Sequence, residues 1–306
     1  MSSVEDYAKT LLEFEQRFAT DDACRLYLEQ LRWPNGFICP ACLASKGWRM
    51  GRGLWLCAQC RRQVSVKAGT IFQDSRLPLR LWFRAMWYVT SQKNGTSAKN
   101  IQRLLGLGSY QTAWAWLHKL RRAMVRPHRE LLNGVVEVDE SYIGSVDAGK
   151  FGREPGDKAL IGIAVEVMDQ GMGRIRLKRI ADASARSLGK FVHESIEPGA
   201  TLRTDGWRGY WPIAGQGYVH EPTKRKDLAQ AELLPASHRI AALLKRWLLG
   251  THQGAVRAEH LDYYLDEFTF RFNRRTSLSR GKLFYRLVEQ AVQVGPCPYK
   301  TLIHSD

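Results

Sequence analysis

Residues 132–144 read LNGVVEVDESYIG. Across 135–140 apolar and acidic residues alternate, the pattern of a strand with one side chain per pleat face in turn. The pleat puts Val136, Val138 and Glu140 on one face and Val135, Glu137 and Asp139 on the other. An acid inside an apolar strand is costly unless a positive partner meets it. A divalent cation is one such partner, and a salt-bridged basic residue is the other.

Moving outward, ALIGIAVEV (159–167) and GRIRLKRI (173–180) are two more strands, joined at Asp169-Gln-Gly171. A helix is expected from Ser184 to Ile196, then a strand TLRTD ending at Asp205. Residues 206–237 have no clear period, and helices follow at about His238 to Leu249, 257–273 and 280–294. Three strands, a helix, a strand and a later helix are the order an RNase-H-like α/β fold requires. Asp205 opens DGWRGY, where a glycine turn exposes its carboxylate; in open α/β sheets, sites form at such strand ends. Taken alone, Asp139 reads equally as a paired strand residue and Asp205 as a turn-former. Together they favour a two-metal phosphoryl-transfer site.

Such a site needs a third ligand, yet the late helix, SHRIAALLKRWL from Ser237, has no carboxylate. His238 is the available donor there. Seven positions at about 100° each put His238 and Lys245 on one helix face. Neutral imidazole binds metal, Mn²⁺ more readily than Mg²⁺, and Lys245 would then reach a phosphate. A helix-start histidine without metal is the competing reading, and Glu140 is the reserve ligand. Glu259, Asp262, Asp266 and Glu267 read as the solvated face of the next helix.

Upstream, Cys39-Pro-Ala-Cys42 and Cys57-Ala-Gln-Cys60 are separated by fourteen residues suited to a β-hairpin. Paired CxxC units at this spacing bring four thiolates to one structural Zn²⁺. Cys24 and Cys297 have no partner at ligand spacing and read as buried small residues. Three helical stretches follow the ribbon: Arg80 to about Ser91, Ser97 to Leu105, and Tyr110 to about Val125. A Thr96/Ser97 cap, a Gly106-Leu-Gly108 stop and a Ser109 cap make the last two a helix-turn-helix pattern. Thr112, Trp116 and Lys119 share one face of the third helix, and Lys119, Arg121, Arg122 and Arg126 make it basic. An ordinary three-helix bundle with a solvated basic face is the alternative.

The 306 residues carry a net charge of +16, and its distribution is uneven. Residues 31–129 hold eighteen bases and one acid, while 130–306 hold twenty-five bases and twenty-two acids. A basic block interleaved with Trp33, Trp48, Trp55, Trp82, Trp87, Trp114 and Trp116 is a folded surface for a polyanion, nucleic acid above all, with an acidic protein partner or ribosomal RNA as the competing reading. The 44% apolar and 25% charged composition excludes wholesale disorder. No apolar run reaches the ~20 residues of a membrane span, and MSSVEDYAK lacks the basic-then-apolar opening of a secretory signal. No membrane partner and a cytoplasmic location, nucleoid-associated when DNA is bound, are expected.

CPAC…CAQC, LNGVVEVDESYIG, RTDGWRGY and HRIAALLKRWLLGTHQG…HLDYYLDEFTFRFNRR together resemble the zinc-ribbon DDE-type transposases of bacterial insertion sequences, the ISXO-like group. The resemblance spans roughly residues 15–290. It implies a helical cap (1–35), a zinc ribbon (36–75), a helix-turn-helix-like DNA-binding module (76–130), an RNase-H-like catalytic domain (131–296) and a tail (297–306). It implies an enzyme that binds the terminal inverted repeats of its element, cuts 3′ strands with metal-activated water and joins the 3′-OH ends to target DNA. Asp139 and Asp205 match the first two catalytic acids, and Lys245 matches the helix lysine. Cys39, Cys42, Cys57 and Cys60 match the zinc ligands. The third acid of relatives falls where this chain has His238. Catalytic Mg²⁺ or Mn²⁺, structural Zn²⁺ and a homodimer or larger synaptic assembly are implied as well. Phe270-Arg-Phe-Asn-Arg-Arg275 and Lys224-Arg225-Lys226 supply further basic groups for DNA. The alternative is a DNA-binding regulator derived from a transposase whose core is inactive.

Overall fold

The computed structural model describes residues 6–126, 129–144, 158–223, 233–253 and 256–303. Lys224, Arg225 and Lys226 lie outside the described residues. Two short helices come first, α1 (Leu11–Arg17) and α2 (Asp21–Arg32). Each is started by a threonine hydroxyl: Thr10 accepts from the Glu13 N–H and Thr20 from the Ala23 N–H. The ribbon sheet follows, an antiparallel run of β1 (Gly47–Arg49), β2 (Leu54–Cys57) and β3 (Gln63–Ser65). Then come α3 (Leu79–Ser91), α4 (Ala98–Leu105) and α5 (Tyr110–Ala123). Ser97 and Ser109 cap the last two, and Gly106 ends α4 at φ 62°, the left-handed turn that glycine adopts without penalty.

The second half of the chain builds a five-stranded mixed sheet. Its strands are β4 (Val135–Ile143), β5 (Ala159–Met168), β6 (Gly171–Ile180), β7 (Thr201–Thr204) and β8 (Val219–Pro222), with α6 (Ala185–Ser195) between β6 and β7. The sheet order is β6-β5-β4-β7-β8, antiparallel on the β5 side of β4 and parallel on the β7 side. α7 (Pro235–His252) and α8 (Leu261–Phe272) follow. Ile161, Ile163, Val165, Ile175 and Leu177 pack against Ile240, Leu244, Trp247, Leu265 and Phe268 of these two helices. The other sheet face, with Val136, Val138 and Ala164, packs against Leu188, Phe191 and Val192 of α6. Gly162 makes room there, since a Cβ would meet the Phe191 ring at 2.7 Å. The two-face assignment read from the alternation of 135–140 is therefore realised.

The chain closes with α9 (Arg280–Ala291) and α10 (Tyr299–Ile303). Two compact units result, residues 1–126 with 276–305, and residues 127–275. A catalytic region running to 296 is thus too long: α9 folds with the N-terminal unit. The reason is aromatic. Phe284 is fully buried among Phe14, Phe18, Phe83 and Trp87, its ring centroid 5.2–5.8 Å from each of theirs. The expected tail at 297–306 is also partly folded, with Cys297 and Leu302 buried. Buried Cys24 and Cys297 match the sequence reading, and burial pushes the Cys24 thiol up to about 12.

The expected DNA-reading stripe on α5 needs correction. Trp116 is buried, stacked on Trp82 at a centroid distance of 4.0 Å, and Arg121 is 2% exposed. The exposed side chains of this helix pair are instead Lys99, Asn100, Arg103, Leu104, Tyr110 and Gln111. Glu267, read as solvated, is 1% exposed and pairs with Arg271 at 2.8 Å. No described helix is long and apolar enough to cross a membrane.

Truncating Phe284 to Ala is expected to cost the N-terminal unit about 3–5 kcal/mol, as for a large aromatic removed from a packed core. Chemical denaturation followed by tryptophan fluorescence checks this; an unchanged midpoint would refute the place of α9 in that core.

Candidate active site and zinc site

The two CxxC turns are built alike. The Leu43 N–H donates to the Cys39 carbonyl at 2.9 Å and the Arg61 N–H to the Cys57 carbonyl at 3.1 Å. The residue after each second cysteine is left-handed, Leu43 at φ 62° and Arg61 at φ 59°. Each turn is then closed from the next residue on, by Cys39 N–H to the Ala44 carbonyl and Cys57 N–H to the Arg62 carbonyl. Strand pairing of Gly47 with Cys57 brings the turns together. The Sγ atoms of Cys39 and Cys60 are 3.7 Å apart and those of Cys42 and Cys57 3.5 Å, all four within 4.8 Å of one another. Tetrahedral zinc with Zn–S of about 2.3 Å spaces its sulfurs about 3.8 Å apart. The donor set therefore fits zinc. The N–H of Cys60, through its bond to the Cys57 sulfur, holds that thiol down, toward the thiolate a metal needs, while the bonded Cys42 thiol is held up.

The second site lies at the β4–α7 face of the five-stranded unit. Asp139, Glu140, Ser141, Asp205, Leu233, His238, Ala241, Ala242 and Lys245 line one cavity of about 490 Å³. All four residues singled out in the sequence are among them. Asp139 is carried by β4 on the α7 side, and its Oδ2 lies 3.6 Å from His238 Nε2. His238 sits in the first turn of α7 and Lys245 lies two turns on, exposed. Asp205 directly follows β7. Its Oδ1 accepts from the Trp207 N–H at 2.9 Å, and Gly206 takes φ 78° to make that turn.

Glu140, on the opposite pleat face of β4, also borders the cavity, and it accepts the Tyr210 hydroxyl at 2.6 Å. Burial pushes its carboxyl up, the Tyr210 bond pulls back, and the charges of Asp139 and Asp205 push up again. Three carboxylates around one cavity, with one of them resisting ionisation, are a donor set suited to a cation. It is a looser set than the cysteines. Among the described residues only the four thiols bring three or more ligand atoms within 4.8 Å of one another.

Sequence reading assigned no task to Tyr210 or Glu137. Tyr210 is buried in a short 3-10 segment, Arg208–Gln216, that has no period to read. Glu137 was visible as an acid on the Asp139 face. It is 4% exposed, and its Oε2 accepts from the Ser237 N–H at 2.8 Å. Burial drives its carboxyl up, while the N–H groups of Ser237 and Ala236 pull it down.

Comparison with known proteins places these features in a common frame. Residues 131–273 match the ISXO2-like transposase domain, and residues 19–63 match the transposase zinc-ribbon domain. The chain is also 29% identical over 280 residues to an uncharacterized protein in the transposable element ISH50 of Halobacterium salinarum, covering 83% of this chain and 91% of that one. The domain match ends at 273, close to where the five-stranded unit ends.

Replacing Cys57 with Ser is expected to remove zinc from the purified chain and to expose 36–65 to protease, because the metal supplies the folding free energy of such ribbons. Elemental analysis with limited proteolysis reads both. Zinc retained at the wild-type level would refute the four-thiolate site.

Proposed function

We propose that this chain, an ISXO2-like transposase with a zinc-ribbon domain, binds the terminal inverted repeats of its element, cleaves their 3′ strands and joins the 3′-OH ends to target DNA. The observation that carries the reading is the one cavity lined by Asp139, Asp205, His238 and Lys245. The sheet order, with β4 central and flanked by an antiparallel and a parallel neighbour, supports an RNase-H-like core for that chemistry.

Asp139 and Asp205 would hold the catalytic Mg²⁺ or Mn²⁺, with the neutral imidazole of His238 as third donor. When bound, such ions supply a water of lowered pKa and charge stabilisation at the leaving 3′-oxygen. Lys245 is an exposed cation on the same cavity and would bind the phosphate flanking the scissile bond, orienting it for in-line attack. Tyr210, donating to Glu140, would hold that carboxylate in place at the wall of the same cavity. The Asp139–Asp205 side then accepts the strand. Lys99, Arg103, Tyr110 and Gln111, exposed on α4 and α5, would contact the DNA ends, with α5 entering the groove by its N-terminal turn. Two ends must be joined together, so a dimer or larger assembly is part of the proposal.

A second reading, a DNA-binding regulator with an inactive core, is favoured by the histidine in the third-ligand position and by the open spacing of the donors. Joining of a labelled inverted-repeat end to plasmid DNA in Mn²⁺ separates the two. Asp139→Asn is expected to reduce joining by at least about 10³-fold while end binding stays, the signature of a group used only in the chemical step. His238→Ala is expected to abolish joining as well. Joining kept in Asp139→Asn would overturn the assignment of the acids, and joining kept in His238→Ala would remove that residue alone. Tight, specific end binding without joining by the wild-type chain would select the regulator.

A further inference from the structure

The first turn of a helix has N–H groups with no partner inside the helix. α7 opens at Pro235. Pro235 has no N–H, and the N–H of His238 reaches the Leu234 carbonyl at 3.0 Å. That leaves the N–H groups of Ala236 and Ser237, both buried. The N-cap residue, Leu234, has no side chain able to serve them. The Ser237 N–H instead donates to the carboxylate of Glu137 at 2.8 Å, on β4, a hundred residues earlier in the chain, and the neighbouring Ala236 N–H also lowers that carboxyl's pKa. Glu137 shares a pleat face with Asp139, two residues on, while Ser237 is followed directly by His238. The seam therefore has two adjacent links, Glu137 to the Ser237 N–H and Asp139 to the His238 ring.

We propose that Glu137 is a positioning residue: by capping α7 from inside the sheet it fixes where the helix begins on β4, and so holds His238 and Lys245 in place beside Asp139. The inference rests on the active-site reading above and adds to it a residue that touches neither DNA nor a metal. Side-chain reach is the property that matters. A glutamine at 137 keeps an acceptor oxygen at the same distance and loses only the charge. An aspartate keeps the charge and draws the oxygen back. An alanine leaves the Ser237 amide buried without its partner.

The test compares Glu137→Ala, Glu137→Gln and Glu137→Asp in the full-length, zinc-loaded protein. Hydrogen exchange is followed on peptides covering 233–241, and strand joining is measured against Mn²⁺ and end-DNA concentration. In Glu137→Ala, exchange at 236–237 is expected to rise by about tenfold or more. Turnover is expected to fall about 10–100-fold, with KM for end DNA unchanged and a higher Mn²⁺ requirement, as for ligands left mispositioned. Glu137→Gln should stay within about threefold of wild type on every measure, and Glu137→Asp should be impaired. A folded Glu137→Ala protein that turns over normally would overturn the proposal. So would the reverse ranking of Gln and Asp, which would make charge rather than reach the requirement; that ranking decides the matter even if the alanine variant does not fold. A wild-type chain that joins no DNA would sink the proposed function and with it the positioning role, while the exchange data would still decide whether the cap exists.

Discussion

A carboxylate buried in a sheet must be answered by hydrogen-bond donors or by positive charge, and the arrangement of the five-stranded unit follows from how that demand is met on β4. Glu137 is answered by the amides that open α7 and Glu140 by the Tyr210 hydroxyl. Asp139 lies between them, half-buried, at the wall of a cavity. Each answer ties the central strand to a different element. The Glu137 bond brings α7 onto one face, and the Tyr210 bond brings the segment after Asp205 onto the other. The strand that carries these acids is thus also the strand that gathers the walls of the cavity.

Comparable logic governs the N-terminal unit, with apolar matter in place of charge. Its short helices could not be stable alone. They share one aromatic cluster, in which Phe14 stacks on Trp87 at 4.6 Å while Phe18, Phe83 and Phe284 close around them. The ribbon beside it relies on metal ligation, since it buries few large side chains of its own. Phe37 stacked on Trp55 at 5.0 Å, with Trp33 at the edge, is the main exception.

Much of this was legible in the sequence because the relevant signals are local. Alternation in 135–140 sorted the acids of β4 onto their faces, and the twin CxxC spacing identified the zinc ligands. Serine and glycine punctuation located α4 and α5 within a residue or two. What escaped depends on distant partners. β8 is four residues with a proline on the edge of the sheet, too short to show a period and tolerated only at an edge. α7 begins at Pro235, three residues before the expected start, because a strand residue supplies its cap. Trp116 and Arg121 looked like part of a basic outer face; packing against Trp82 and burial put them inside. The destination of α9 was equally invisible, since an amphipathic helix advertises an apolar stripe but not the partner that will cover it.

That last point bears on the order in which the protein matures. In chain order the whole five-stranded unit precedes Phe284, the ring at the centre of the N-terminal cluster. The unit made first is therefore the one completed last. A nascent chain can hold a finished sheet while its leading segment still waits for a helix yet to emerge. Any product broken off near residue 275 would keep the carboxylate cavity and leave the tryptophan-rich, basic segment with an open core. What fragments of that kind lack is the keystone of the unit that carries most of the net positive charge.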